Sequence, residues 1–471
     1  MSTPDAVVVG SGPNGLAAAI TLAERGLSVT VLEGHDEIGG GTRTAELTVP
    51  GVLHDLCSAI HPFGVGSPYL SALPLADHGL VWRWPEVDLA HPLDDGTAGV
   101  LLRSIDETAA GLGADGDRWR GVFGPLAAHF DTLAPDVLGP ILHLPRHPLL
   151  LGRFGLRAAL PADVLARRFT TDAARALFAG CAAHICRPLD RPTTAAVGAT
   201  LIAAGHAHGW PVAEGGSRAI TDAMASLLRS LGGTIETGVQ VASFDQLPRA
   251  RTLLFDTTPT AFARIAGDRL PARQRRSMRR WKYGYAAYKL DLAVRDGVPW
   301  TAEVCRRAGT VHVGGTFEDI AAAEAEVNRG VMPRRPFVLV GQQYLADPTR
   351  SAGDVHPVWA YAHVPHGYAG DATAAVLDQI ERFAPGFRER IVGTHVTGPA
   401  AFEAYNPNYV GGDIAAGSTT VRQLVARPRP TLDPYATAVP GAYLCSSSTP
   451  PGAGVHGMCG HRAALRALRD L

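Results

Sequence analysis

The chain has 471 residues, 46% of them hydrophobic and 18% charged, a length for two to four domains and a composition for a large core rather than disorder. A formal net charge of -1 excludes the electrostatic footprint of a nucleic-acid binder. No run of about 18 apolar residues offers a membrane-spanning helix, MSTPDAVVVG has no basic segment ahead of an apolar one, and six scattered cysteines without a CxxC pair read as reduced thiols of a cytoplasmic protein.

The clearest pattern comes first, in DAVVVGSGPNGLAAAITLAERGLSVTVLE, residues 5–33. Ala6 to Val9 read as a buried strand, and Gly10, Gly12 and Gly15 then satisfy G-x-G-x-x-G. Helical periodicity runs to about Arg25, Gly26 stops it, and Leu27 to Leu32 make a second strand ending in Glu33. Gly10 permits the tight turn, Gly12 lets backbone approach a pyrophosphate, and Gly15 packs helix on strand. The helix start, with Pro13 and Asn14, supplies amide donors and a positive dipole end. Glu33 suits a ribose diol and would repel a 2′-phosphate. The unit predicts a Rossmann-type dinucleotide site. Gly39, Gly40 and Gly41 form a second backbone nest just beyond the acid.

Residues 76–211 read as mostly helical. Within them VLGPILHLPRHPLLLGRFGLR, residues 137–157, joins leucine-rich patches to Arg146, Arg153 and Arg157. It reads either as a lid packed over a pocket or as a membrane-surface and entry segment for a greasy substrate. Residues 214–244 read as a glycine turn, an amphipathic helix and a strand, and RTLLFDTTP, residues 251–259, as a strand and a proline turn. Tyr285 to Val294 alternate like a strand with one covered face, and Asp371 to Phe387 hold a helix ending before Pro385. The histidine pairs HAH, residues 206–208, and HVPH, residues 363–366, have no carboxylate or cysteine set beside them, so no metal site is expected. GAYLCSSSTPPGAGVHGMCGHRAA, Gly441 to Ala464, repeats the strand, glycine loop and helix start at the far end of the chain.

The glycine unit, the GGG nest and this last element together resemble the flavoproteins with two dinucleotide-binding motifs, the carotenoid oxidoreductase and amine oxidase superfamily. AEGGSRAI, YKLDLAVRDGVPW, VWAYAHVPHG, YNPNYVGGDI and SSSTPPGAGVHGMCG narrow the resemblance to its phytoene desaturase-related branch, over nearly the whole chain. The resemblance implies an α/β fold: a Rossmann-type FAD-binding domain from residues 1–75, 212–262 and 430–471, and a discontinuous α+β substrate domain from 76–211 and 263–429. It implies FAD, because one elongated cofactor then uses two helix starts. Gly454, Val455 and His456 would face the ribityl chain and flavin ring, where amide donors favour the charge of the reduced flavin. Arg43 would neutralise phosphate, although the family arginine usually stands where this chain has Gly41. Val241 would meet adenine from a strand. Ser446 stands where the family often has a ribityl-binding aspartate.

In such enzymes hydride, or its equivalent, passes from a C–H bond to flavin N5, with oxidation of a C–N bond where that carbon bears nitrogen, so the protein's task is to position the reacting bond and exclude water. The candidates for catalysis are His456, His61, Tyr409 and Lys289. The last matches an amine oxidase lysine that holds a water at the flavin. It is one of only two lysines in the chain, with Lys282. A buried lysine, unlike arginine, can give up its proton. The expected function is desaturation or oxidation of a hydrophobic small molecule. An oxygen-using amine oxidase, a flavin-dependent isomerase and a non-catalytic FAD-binding protein are the alternatives. The electron acceptor, oxygen or quinone, and the oligomeric state are not readable from these residues, and a peripheral membrane contact is compatible with them.

Overall fold

The computed structural model describes residues 3–471. Its first layer is a five-stranded parallel sheet in the order Ala442–Leu444, Thr252–Phe255, Ala6–Val9, Val29–Leu32 and Thr234–Glu236. The central strand is AVVV, buried at every position. A continuous β-branched run without polar alternation is what a parallel strand covered on both faces requires. The helix Pro13–Ala23 starts with proline in its first turn, where the missing N–H has no cost. The helix Arg218–Ser230 buries Ile220, Met224, Leu227 and Leu228, the three-and-four spacing of one helical face.

Three distant stretches of chain therefore build one sheet. Val9, Leu32, Phe255 and Leu444 end their strands on the same edge of that sheet, so the loops beginning at Gly10, Glu33, Asp256 and Cys445 are brought together. In open parallel sheets ligands bind at this carboxyl edge.

The second layer is a mixed sheet of seven strands in the order Ile391–Thr397, Ala286–Arg295, Val355–Val364, Val338–Gly341, Ala308–Val313, Val87–Pro92 and Ala98–Leu101. The last two strands come from the stretch expected to be mostly helical, so residues 76–211 contribute to the sheet as well as a helical cover. The strand Ala286–Arg295 also departs from expectation, being buried on both faces up to Val294. Its apolar set, Leu290, Leu292 and Val294, joins one core with Val311, Val340 and Val358. Its polar set, Lys289 and Asp291, pairs across the sheet with Tyr361 and Trp359. Polar alternation here marks a buried polar seam between the layers, not a solvent face.

Candidate active site

A cavity of about 990 Å³ runs from the glycine loop to the second sheet. It is lined by Gly10, Gly12, Pro13, Asn14, Glu33, Gly40, Gly41, Arg43, His61, Val241, Tyr409, Ser446, Gly454, Val455 and His456. Of the candidate site residues singled out from the sequence, Gly15, Gly39 and Lys289 lie outside its wall.

At the N-terminal end, Gly10 takes φ +102, and a Cβ on Gly15 would overlap the Gly10 carbonyl oxygen. Only glycine lets the helix start so near the strand. Gly12 holds the cap position of that helix without a side chain of its own, and of the first-turn amides the Gly15 N–H is taken by the Asp256 carboxylate. The Glu33 carboxylate accepts from the Ser11 N–H at 2.8 Å, from the Ser11 hydroxyl at 2.6 Å and from the His35 N–H at 2.9 Å. These bonds fix its orientation and leave lone pairs for a diol. Arg43 donates to the carbonyls of Glu37 and Ile38 and reaches Glu33 at 3.5 Å. Its guanidinium thus sits beside the carboxylate, tied to the loop that carries the glycine nest. Val241 lines the cavity from a coil, not from a strand, because the strand before it ends at Glu236. The chain there bonds across to the Glu33 carbonyl through the Val239 N–H.

At the C-terminal end, the helix Met458–Ala467 starts at Gly457, φ +68, again with no side-chain cap. A Cβ on Gly460 would overlap the Asn14 carbonyl oxygen, so the two helix starts lie side by side. His456 Nδ1 accepts from the Met458 N–H at 3.1 Å, which puts the neutral ring's proton on Nε2. Burial pulls the pKa of His456 down to about 4, which keeps the ring neutral. Ser446 donates to the Thr257 carbonyl at 2.7 Å, and Asn14 donates to the hydroxyl of the neighbouring Ser447 at 3.3 Å.

His61 and Tyr409 flank the passage to the second sheet. His61 Nε2 is 2.8 Å from the Ser217 hydroxyl, and burial lowers its pKa to about 4. Tyr409 places its hydroxyl against Gly41, where a Cβ could not fit, and burial raises its pKa well above the ordinary phenol. Lys289 is 1% exposed, and its ammonium is bonded to Asp291 and lies 6.0 Å from the centre of the Trp359 ring. Trp359, not Lys289, presents to the cavity. The lysine compensates a buried aspartate, whose pKa burial raises and Lys289 lowers. It is therefore neither the surface cation of an edge strand nor a wall residue of the site.

Asp256 is a site residue that the sequence reading passed over. It follows the strand Thr252–Phe255, and its carboxylate accepts from the Gly15 N–H at 3.0 Å, beneath the glycine loop. Burial, with Glu33 adding repulsion against the Gly15 bond, raises its pKa to about 7. Its signal in the sequence was the acid ending RTLLFD, the same strand-end position that Glu33 holds.

Among the buried polar atoms of this wall that have no partner in the described residues are Asn14 Oδ1, Thr257 Oγ1 and His456 Nε2. Two helix starts set side by side, a diol acceptor and these orphaned groups fit a long nucleotide with a flavin at its far end. No metal-binding cluster of His, Cys, Asp and Glu occurs among the described residues. All six cysteines are free thiols.

Fold and cradle together define the class: a Rossmann-type dinucleotide-binding layer joined to a second, mixed sheet. Residues 8–73 match the family model described as NAD(P)-binding Rossmann-like domain. The pyridine nucleotide-disulfide oxidoreductase domain-containing protein 2 of Rattus norvegicus is 26% identical, over 99% of this chain and 94% of its own. The hydroxyneurosporene desaturase of Cereibacter sphaeroides is 28% identical, over 99% of this chain and 98% of its own. The same fold is found in an oxidoreductase from Methanosarcina mazei, with TM-score 0.62, 16% identity and coverage of 98% and 99% of the two chains. A putrescine oxidase variant shares it at TM-score 0.61, 19% identity and 99% of both chains. So does a fatty acid isomerase from P. acnes, at TM-score 0.57, 16% identity, 99% of this chain and 98% of that one. The resemblance drawn from the motifs thus extends over nearly the whole chain.

Proposed function

We propose that this chain is an FAD-dependent oxidoreductase that desaturates or oxidises a hydrophobic small molecule. One observation carries the reading: a single cavity joins the dinucleotide cradle to a chamber lined by Leu138, Leu151, Phe154, Val197, Leu201 and Leu339. Glu33 and the first helix start would hold the adenosine and pyrophosphate, and His456 and the second helix start the flavin. When bound, FAD supplies the acceptor for a hydride from substrate carbon. The chamber excludes water and orients the reacting bond, and the neutral His456 offers an Nε2–H donor without adding charge. The likeness to the Cereibacter hydroxyneurosporene desaturase supports this reading.

An amine oxidase is the second reading. Trp359 and Tyr361 meet edge to face in the chamber wall, with ring centres 4.9 Å apart, a surface on which an amine could lie. Anaerobic mixing of the yellow holoprotein with apolar metabolites tests the proposal. Flavin colour should bleach, and the product should lack two hydrogens of its substrate. Protein that neither carries nor takes up FAD would refute it. Bleaching by amines, with peroxide formed in air, would select the second reading, and an isomeric product without bleaching would select an isomerase.

The substrate entry is proposed to face a lipid surface. No helix among the described residues is long and apolar enough to cross a membrane. Residues 139–158 nevertheless place Ile141, Leu151 and Phe154 in the cavity wall, while Leu144, Leu149 and Leu156 are 95%, 86% and 76% exposed. Arg146 and Arg153 are exposed beside them. Leucines flanked by arginines suit an anionic bilayer interface. Co-sedimentation with anionic phosphatidylserine vesicles should fall at least about tenfold when the three leucines become serine. Equal sedimentation of that variant would dismiss the contact.

A further inference from the structure

Behind the wall of the substrate half of the cavity lies a cluster that the proposed oxidation does not use, and Cys186 is its member that lines the cavity. Cys186 follows the helix Asp172–Ala183 and takes φ +54, a left-handed backbone rarely adopted by residues with a Cβ and often found at functional sites. It lines the cavity, and it is the one cysteine of the six that is not buried. Its Sγ is 3.6 Å from His363 Nε2, and His363 Nδ1 is 2.8 Å from Glu324 Oε1. His363 and Glu324 are 2% and 0% exposed. Glu324 Oε2 has no partner, and Tyr285 donates to the backbone carbonyl of Glu324, so the imidazole is the carboxylate's sole hydrogen-bonding neighbour among the described residues. The thiol's other polar neighbour is the His184 carbonyl, at 3.7 Å. Burial opposes a charge on His363, yet Cys186 and Glu324 together hold its pKa well above the ordinary imidazole value.

A thiol, an imidazole and a carboxylate bonded in that order form the arrangement that activates sulfur as a nucleophile. We propose that Cys186, with His363 as its proton partner and Glu324 orienting the ring, is a reactive thiol that captures the β-carbon of an α,β-unsaturated carbonyl on an apolar ligand. Sulfur is a soft nucleophile, the conjugated carbon is a soft electrophile, and the chamber selects for apolar surface. Sγ supplies the electron pair of the new S–C bond. The π pair of the C=C bond moves to the α-carbon and takes the proton that His363 received from the thiol. The net change is addition of S–H across a double bond, with no oxidant or reductant. This centre goes beyond the hydride reading and does not depend on it.

The test uses the full chain with iodoacetamide at one neutral pH, followed by peptide mass spectrometry. Cys186 should take one equivalent at least about tenfold faster than free glutathione, with Cys57 unlabelled. Glu324→Gln should slow this by about tenfold, and His363→Gln by more. Oct-1-en-3-one should then form a single adduct on Cys186, blocked by prior alkylation. Labelling no faster than glutathione would overturn the proposal, and that comparison needs no variant. Equal rates in a folded His363→Gln protein would overturn the relay. An enone adduct that is absent, or found on another cysteine, would overturn the ligand class.

Discussion

Gly460→Ala is expected to cost the protein its bound FAD. The added methyl would lie on the Asn14 carbonyl oxygen, backbone that cannot swing aside as a side chain could. The helix Met458–Ala467 must then shift away from the helix Pro13–Ala23, and the two positive ends no longer converge on one nucleotide. Overpacking of this kind costs about 1–3 kcal/mol of stability. Separation of the helix starts should weaken FAD binding by at least about tenfold, or about 1.4 kcal/mol. Flavin retained through gel filtration, together with the thermal midpoint, measures both. Gly111→Ala is the control, because nothing lies within 4 Å of its Cβ position at an exposed helix end. A Gly460→Ala protein as yellow and as stable as the control would show that close approach of these helices is dispensable.

Arg350→Met should give the largest loss of folding stability. The guanidinium is fully buried, bonded to Asp55, to Asp347 at 3.0 Å and to the Ala213 carbonyl at 2.7 Å. Asp55 ends the hairpin strand Leu53–Asp55 and also accepts from the Ser217 N–H at 2.7 Å, and Asp347 accepts from the Gly215 N–H at 2.7 Å. One arginine thus locks the hairpin that ends at Asp55 to the turn before helix Arg218–Ser230 and to the segment that carries Asp347. Removing it strands two buried carboxylates, at a cost of about 3–5 kcal/mol.

The pH dependence has a definite sign. Burial alone would raise the Asp55 pKa, but Arg350 and the Ser217 N–H hold it below the ordinary carboxylate value. In the native protein this stabilisation is present above the unfolded pKa of about 3.9 and lost as pH falls through the folded value. Without Arg350 the burial contribution dominates, the folded pKa exceeds the unfolded one, and Asp55 favours folding only at acid pH. The deficit measured by urea unfolding should therefore be largest near neutrality and shrink towards about pH 4. A deficit that is flat with pH would mean that packing, not charge, is what Arg350 supplies.

The nucleotide cradle was legible because its parts obey short-range rules. A tight turn, a helix start and a strand-end acid lie within residues 5–33, and each demands a residue type at a fixed spacing. The same local grammar exposed the last strand, loop and helix, and the family resemblance implied that this element meets the far end of the cofactor. Where the reading went astray, a buried environment imitated a familiar local pattern. Alternation along Tyr285 to Val294 looks like one wet face, but Lys289 and Asp291 neutralise each other inside a seam between two layers. Trp359, Tyr361 and His363 alternate along the strand Val355–Val364, a period that says nothing of what they face.

Residue type and spacing alone determined the Rossmann-type half of this protein, because backbone turns and helix starts are decided among near neighbours. Tertiary structure alone decided the rest of the cavity. His363 meets Cys186 across 177 positions and Glu324 across 39. Such meetings are set by sheet register and by which helix covers which strand, and those depend on the burial of the whole core, not on the residues that meet.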